Sequence, residues 1–240
     1  MAVDNNTISL NDPSGTRKHT TNVDEVLEAL RQNSTPHEVD IAGMHLIVLP
    51  QVLSPRLSHA PDALISKWHI PRGSRILDLG CGCGVLGIAA LRAGGGNLVA
   101  LDINSHAVEN ARINLQKLGL SEHAEARLSD VYGALRDHEK FDVIIFAAPY
   151  WDRAANDPLE LSCFDHEYAF FRAAISGAKA RLNSNGRMYI IFSDQGDVST
   201  AARAIHKSGL SIASLHIFRP TSPQGHVRIV WELVAEEISE

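Results

Sequence analysis

Short apolar runs alternate with amphipathic segments along most of the chain. Helical spacing of apolar residues predicts helices at 85–92, 107–118, 168–182 and 198–207, and continuous apolar runs predict strands at 75–79, 98–101, 124–128, 141–146 and 188–192. Two further strands, 211–218 and 227–234, are joined by a loop too short for a crossover helix, so they should pair antiparallel. The pattern predicts an α/β fold with a seven-stranded, mostly parallel sheet and an antiparallel last strand.

The N-terminal quarter follows a different pattern. Residues 1–21 are polar and expected to be mobile, 23–30 are predicted as a helix with Asn22 as its N-cap, and 37–49 as a β-hairpin. Prolines then predict an ordered loop, followed by a short helix at 61–68. We therefore divide the chain into residues 1–60, a helix, hairpin and loop that form a substrate cover or a dimer contact, and residues 61–240, the cofactor-binding domain.

Composition narrows the expected partners and location. The chain has 240 residues and a net charge of −6, which argues against nucleic acid as an acceptor because phosphate backbones need a basic surface. No apolar run is long enough to cross a membrane, and the polar N-terminus does not resemble a secretory signal, so a cytoplasmic location is expected. The cysteines and histidines lack metal-ligand spacing, so no metal site is predicted. The oligomeric state stays open.

The most informative segment is a glycine-rich turn between a predicted strand and a predicted helix. Glycines alternate at Gly80, Gly82 and Gly84, with Asp78 before them. Such glycines allow a tight turn and let a ligand touch bare backbone. The next strand ends in Asp102, whose carboxylate is suited to bind two ribose hydroxyls. The spacing is G-x-G-x-G and not the G-x-G-x-x-G of dinucleotide sites, and an acid before it suits a ligand with a positive amino group.

This segment resembles motif I of class I S-adenosylmethionine-dependent methyltransferases, and Leu101–Asn104 with the helix after it resembles their following acidic loop. The resemblance implies a Rossmann-like methyltransferase fold, with S-adenosylmethionine as cofactor. It implies that Asp78 lies near the methionine end, that Asp102 takes the ribose and that Asp130 faces the adenine amine. The full set of cofactor-binding residues implied is Asp78, Gly80, Cys81, Gly82, Gly84, Asp102, Ile103, Asp130 and Ala147.

The end of the fourth strand of this fold should carry the reacting residues. It reads Ala147-Ala148-Pro149-Tyr150, placed like the N-P-P-Y motif of release-factor glutamine methyltransferases and related rRNA and adenine methyltransferases. In that motif the asparagine and the first proline hold the target amino group by hydrogen bonds. Alanine has no side-chain hydrogen bond to offer, so the resemblance no longer implies a glutamine amide as acceptor.

Candidate catalytic and substrate-binding residues follow this motif. Tyr150 and Asp152 are the catalytic candidates, the first by its motif position and the second as a proton acceptor or cation ligand. Trp151, His166 and Arg56 are candidates for substrate binding; for His166 an exposed surface position is the favoured alternative. Methyl transfer needs no protein nucleophile, because the enzyme mainly has to hold acceptor, methyl and sulfur in line.

These observations predict an S-adenosylmethionine-dependent methyltransferase acting on the nitrogen or oxygen of a small molecule. Three alternatives stay open. One is a protein glutamine or RNA N-methyltransferase that tolerates the altered motif. Another is a lyase or cyclase that consumes the cofactor and releases methylthioadenosine, which would fit the loss of the residues that hold the acceptor. The third is a non-catalytic binding module.

Overall fold

The computed structural model describes residues 23–32, 34–57, 60–219 and 226–235. Its helices are α1 (Val23–Gln32), α2 (Ala60–Ile65), α3 (Val85–Arg92), α4 (Ser105–Lys117), α5 (Ala169–Arg181) and α6 (Val198–Lys207). Its strands are β1 (His37–Ile41), β2 (Met44–Val48), β3 (Arg75–Leu79), β4 (Asn97–Asp102), β5 (Ala124–Leu128), β6 (Phe141–Ala147), β7 (Leu182–Ser193), β8 (Leu210–Phe218) and β9 (Arg228–Ala235). The predicted mobile segment 1–21 and the predicted cap Asn22 lie outside the described residues. No helix in the described ranges is long and apolar enough to cross a bilayer.

The seven-stranded sheet confirms the predicted fold. Its strand order is β5-β4-β3-β6-β7-β9-β8. Strands β3 to β7 pair in parallel, and β9 runs antiparallel to both of its neighbours, β7 and β8. The carboxyl ends of the parallel strands therefore meet the amino end of β9 at one edge of the sheet. In open α/β sheets this is the edge where ligands bind.

Helices cover both faces of the sheet. On one face α3 and α4 pack over Ile76, Leu98 and Val143, together with the hairpin β1–β2. On the other face α5 and α6 pack over a cluster that includes Phe146 and the buried Trp231. Two continuous apolar faces explain why the central strands read as unbroken hydrophobic runs.

Helix α1 packs away from the sheet, on the long loop after β6. Its Leu27 and Leu30 are buried against Leu159 and Phe164. Arg31 also donates to the carboxylates of Asp157 at 2.8 Å and Glu160 at 2.5 Å. The apolar face of α1 thus packs on this loop and not on the main core.

Several predicted bounds were displaced for identifiable reasons. The predicted helix 61–68 ends as an α-helix at Ile65, and Trp68 only closes a turn through its amide to Leu64. Helix α5 begins at Ala169 because Tyr168 has a left-handed backbone, with φ of 54°. Strand β7 begins at Leu182, opposite Phe141 on β6, because inter-strand pairing extends it beyond its apolar run.

Candidate active site

The glycine-rich turn is fixed on the end of β4. The amides of Gly80 and Cys81 both donate to the carbonyl of Leu101, at 2.8 and 3.0 Å. At Gly82, where φ is +54°, a Cβ would meet no atom within 4 Å, so bare backbone faces open space. At Gly84, where φ is +86°, a Cβ would lie 3.3 Å from the Ala111 Cβ, because the turn packs tightly on α4. The turn thus has one open side and one packed side.

Asp102 ties this turn to the loop that follows β4. One carboxylate oxygen accepts a hydrogen bond from the Gly82 amide and the other from the Asn104 amide, both at 2.9 Å. Burial raises the pKa of Asp102 against the effect of these amides, which lower it. Ile103, next in the chain, is 48% exposed although it is apolar. A polar acceptor beside an uncovered apolar side chain suits a ribose with an attached base.

Asp78 lies beneath the turn and is 1% exposed. Its carboxylate accepts the Gly87 amide at 2.8 Å, inside the start of α3. Burial raises the pKa of Asp78 to about 7, and the Gly87 hydrogen bond offsets only part of that rise. Cys81 is also buried, and burial raises the pKa of its thiol. Asp130, by contrast, follows β5 with an exposed side chain.

The end of β6 carries the second group of predicted residues. The Ala148 amide donates to the carbonyl of Ile191 on β7 at 3.1 Å, which fixes the Ala147-Ala148 pair at the edge of the sheet. The hydroxyl of Tyr150 faces Ser193 and Arg228. Burial raises the pKa of Tyr150, so its phenol stays protonated at neutral pH.

The loop after β6 returns to Tyr150 and presents an acid and an imidazole. Trp151 stacks against Tyr150 with ring centroids 4.3 Å apart. Asp152 accepts the Glu167 amide at 2.7 Å and lies 3.4 Å from Nδ1 of His166. The side chains of Asp152 and His166 are 50% and 66% exposed. The pair is therefore accessible, although His166 belongs to a segment that also caps α5.

Two adjacent residues in this loop have left-handed backbones. Glu167 and Tyr168 both have φ of 54°. Such positions cost about 1–3 kcal/mol each for a non-glycine residue and persist where the surroundings enforce them. Here Asp152 holds the Glu167 amide, and the Tyr168 hydroxyl donates to the Tyr150 carbonyl at 3.2 Å. Asp165 accepts the amides of Phe170 and Phe171 and so caps the start of α5.

Arg56 lies in a short 3-10 helix, Pro55–Leu57. Its Nε is buried and has no hydrogen-bond partner among the described residues. No hydrogen bond or ion pair within the described part of the chain joins Arg56 to either of the two groups above. The geometry thus brings Asp78, the glycines and Asp102 together, and separately Tyr150 with Asp152 and its neighbours.

Two residues that shape this site, Asn104 and Arg228, were not predicted from the sequence. The Asn104 side chain caps α4 and donates to the Gln51 carbonyl at 2.8 Å. This bond joins the N-terminal loop to the glycine-rich turn of residues 80–84, called the cofactor turn below. Asparagine directly before a helical segment is a recognisable N-cap signal. Arg228 lies at the start of β9, distant in sequence, and no local pattern marks it.

The cofactor turn fits S-adenosylmethionine. Bare backbone at Gly82 and the Asp102 carboxylate lie together, and Ile103 offers an uncovered apolar surface beside them. In agreement with this geometry, residues 44–209, more than half of the chain, match the family described as the methyltransferase small domain. The chain belongs to this family. It is a class I S-adenosylmethionine-dependent methyltransferase.

The relatives of this methyltransferase act on large molecules according to their names. The ribosomal protein L11 methyltransferase of Dechloromonas aromatica is 37% identical over 89 residues, 35% of this chain and 30% of that protein. Among solved structures, the ribosomal protein L11 methylase of Lactobacillus delbrueckii has a TM-score of 0.58 at 15% identity, covering 79% of this chain and 84% of that one. The T. thermophilus 16S rRNA N2 G1207 methyltransferase, in complex with AdoMet and guanosine, has a TM-score of 0.62 at 20% identity, covering 83% and 50%.

These names correct one prediction. A small-molecule acceptor and no nucleic-acid partner were expected, and that expectation is wrong: the relatives named here are named for a ribosomal protein or for rRNA as their acceptors. The absence of a side-chain hydrogen bond at Ala147 and Ala148 therefore does not imply a small acceptor. The chain spans 30% and 39% of the length of the first two curated relatives it matches.

Proposed function

We propose that this methyltransferase modifies a nitrogen of a protein acceptor. The observation that carries the proposal is the accessible pair of Asp152 and His166 beside Tyr150, at the edge of the sheet where the cofactor turn also lies. A carboxylate attracts a protonated amine, and a neutral imidazole can take its proton. The names of the curated relatives support a protein acceptor.

Local charge suits a basic segment of a protein acceptor. Asp152 and Glu167 are both exposed beside Tyr150, and their carboxylates would attract the lysines of such a segment. The free cysteines, Cys81, Cys83 and Cys163, fit a reducing compartment, and we propose that the protein works in the cytoplasm.

The altered motif after β6 determines the kind of nitrogen. Pro149 and Tyr150 support a place near the N-P-P-Y group, as the sequence proposed, but Ala147 and Ala148 offer no side-chain hydrogen bond to a carboxamide. A carboxamide nitrogen is poorly nucleophilic and needs such a grip, whereas a deprotonated amine carries a reactive lone pair. We therefore propose an amine as the acceptor.

Each candidate residue has a proposed role. S-adenosylmethionine, when bound, supplies the electrophilic methyl group and leaves as S-adenosylhomocysteine. Asp102 would bind the ribose, and the backbone of Gly80, Gly82 and Gly84 would lie under the cofactor. The walls of the site would be formed by Ile103, Asp130 and Ala147. Asp78 would support the glycine turn from below. His166 accepts the amine proton with Asp152 orienting its ring, Tyr150 and Trp151 wall the acceptor, and Arg56 contacts the acceptor from the N-terminal segment. Within the predicted segment 1–60, the described residues 23–32 and 34–57 would cover this side of the domain 61–240, and residues 1–22, 33, 58 and 59 lie outside the described residues.

The test offers two acceptor pools together with a methyl-labelled cofactor: ribosomal proteins freed of RNA, and rRNA and tRNA freed of protein. We expect label in protein that a protease releases and a nuclease does not. Asp102→Ala should abolish labelling together with cofactor binding, whereas His166→Gln should lower kcat at least tenfold and leave S-adenosylhomocysteine affinity within twofold. Label only in RNA would overturn the proposal.

A further inference from the structure

Arg228 is a buried arginine at the active-site edge of the sheet. It is the first residue of β9, and because β9 is antiparallel, its first residue lies beside the carboxyl end of β7, in register with Ser193. Arg228 is 4% exposed and Ser193 is fully buried. A charged side chain is rarely placed this deeply without a partner for its charge.

The charge of Arg228 has no acidic partner in the described residues. Its Nη1 donates to the Ser193 Oγ at 2.8 Å, and its guanidinium carbon lies 5.4 Å from the centre of the Tyr150 ring. No carboxylate of the described ranges lies within 4.0 Å of its nitrogens. The hydroxyls of Ser193 and Tyr150 and the aromatic face of Tyr150 are all uncharged, and they only partly replace the solvation that a buried cation loses.

Other partly buried arginines in this chain are treated differently. Arg187 on β7 pairs with Glu232 at 2.7 Å although 27% of its side chain is exposed. Arg127 pairs with Glu139 at 2.8 Å with 15% exposed. Arg228 is more deeply buried than either of them and lacks an acid, which indicates a position where a ligand supplies the negative charge.

The location of Arg228 separates it from the ribose site at Asp102. Four inter-strand steps, β4 to β3 to β6 to β7 to β9, lie between the strand that ends in Asp102 and Arg228. At about 4.8 Å per step the separation is about 19 Å. Arg228 contacts Tyr150, which follows β6, where the acceptor and the methionine end of the cofactor should meet.

We propose that Arg228 and Ser193 bind a carboxylate group at the methyl-transfer site. The carboxylate has two possible sources. The first is an acidic side chain or C-terminus beside the acceptor amine, and for this source the inference rests on the proposed function. The second source is the methionine carboxylate of the cofactor. The planar guanidinium presents parallel donors that match the two oxygens of a carboxylate.

The experiment compares Arg228→Gln with Arg228→Lys, which keeps the charge but not the paired donors, and thermal melts confirm that each variant folds. If the acceptor supplies the carboxylate, Arg228→Gln raises the acceptor KM at least tenfold and leaves S-adenosylhomocysteine affinity unchanged, with Arg228→Lys intermediate. If the cofactor supplies it, Arg228→Gln weakens S-adenosylhomocysteine at least tenfold and leaves methylthioadenosine, which lacks the carboxylate, unchanged.

A third measurement does not depend on methyl transfer. In the wild-type protein, acetate should shift the ¹⁵N resonance of Arg228 Nε saturably, and acetamide at the same concentration should not. Wild-type protein that labels no acceptor but shows the acetate shift would contradict the proposed function and keep the carboxylate site. A folded Arg228→Gln with unchanged acceptor KM and cofactor affinity, together with no acetate shift in the wild type, would overturn the inference.

Discussion

The carboxamide of Asn114 binds both backbone groups of Ile47. Its Oδ1 accepts the Ile47 amide and its Nδ2 donates to the Ile47 carbonyl, both at 2.8 Å. The same Nδ2 lies 2.8 Å from the carbonyl of Cys83 in the cofactor turn. One turn earlier on α4, Asn110 accepts the Leu49 amide at 2.9 Å. Helix α4 therefore holds the N-terminal hairpin and the cofactor turn in one rigid arrangement.

Asn114→Ala should loosen the hairpin. The substitution removes the partner of the Ile47 amide and of the Cys83 carbonyl, whereas the Ile47 carbonyl keeps the Asn110 side-chain amide at 2.8 Å. At about 1–3 kcal/mol per buried group, we expect a loss of about 2–4 kcal/mol in the free energy of unfolding. Amides of residues 44–48 should exchange hydrogen faster. Gln116→Ala, at an exposed position of the same helix, is the control and should change stability by less than about 0.5 kcal/mol. Unchanged protection of the hairpin would contradict the role of Asn114.

Alanine at Gly82 and at Gly84 should act on different properties. Both substitutions force a left-handed alanine, which costs about 1–2 kcal/mol. At Gly82 the new methyl group enters open space where the cofactor should lie, so we expect at least a tenfold loss of S-adenosylhomocysteine affinity with little further destabilisation. At Gly84 it crowds Ala111 and Ile88, so stability should fall by a further 1–3 kcal/mol or so. Urea unfolding measures the stability of each variant, and calorimetric titration measures its affinity for S-adenosylhomocysteine. Equal losses of affinity at equal stability in the two variants would contradict the prediction.

Asp78→Asn should stabilise the protein without ligand at neutral and alkaline pH. The folded-state pKa of about 7 lies above the ordinary value of 3.8, so the folded state holds the proton more tightly than the unfolded state. Ionisation of Asp78 therefore reduces stability progressively as pH rises from about 4 to about 7, at up to about 1.4 kcal/mol per pH unit. Asparagine keeps an oxygen for the Gly87 amide but carries no charge.

The measurement for Asp78 is the Tm of both proteins between pH 4 and pH 8. The advantage of Asp78→Asn should grow across this range and level off above about pH 7. Asp137→Asn, at an exposed position, should show no such trend. A difference in Tm that does not change with pH would show that charge burial at Asp78 is not its cause.

Glu139→Gln should weaken the packing of the loop before β6 on strands β3 and β5. Glu139 is nearly fully buried and binds Arg127 through both carboxylate oxygens and Arg75 through one. Arg127 above all lowers the pKa of Glu139 to about 2. Arg127 keeps its ion pair with Glu125, and the Arg75 side chain is 39% exposed. The loss should therefore lie at the low end of the cost of breaking a buried pair, about 3 kcal/mol at pH 7.

The pH dependence gives this prediction its sign. A lowered folded-state pKa contributes stability that is complete above the ordinary value of 4.5 and is lost as pH falls through about 2. Glu139→Gln should therefore lie well below the wild type at pH 7 and approach it in acid, as measured by urea unfolding from pH 7 to pH 2.5. The exposed Glu122→Gln is the control; a gap that stays constant down to pH 2.5 would refute the argument.

Much of the fold could be predicted from the sequence because its signals are local. Apolar runs marked β3, β4 and β6, and the glycine turn marked the cofactor site, since backbone geometry at Gly82 and Gly84 depends on residue type. Bounds that depend on partners could not be predicted in this way. Strand β7 is extended by pairing with β6, and Tyr168 leaves the helical conformation because Tyr150 and Asp197 bind its hydroxyl.

The sequence by itself determined the fold class, the cofactor and the positions of Asp78 and Asp102, because strand, turn and helix follow one another along the chain. It did not determine the acceptor, and the expected small molecule was wrong. Only the tertiary structure placed Arg228 beside Tyr150 and Asn114 on Ile47. The first contact joins residues that are 78 positions apart in the sequence, and the second joins residues that are 67 positions apart. Packing of the whole sheet decides which elements become neighbours, and no local pattern does.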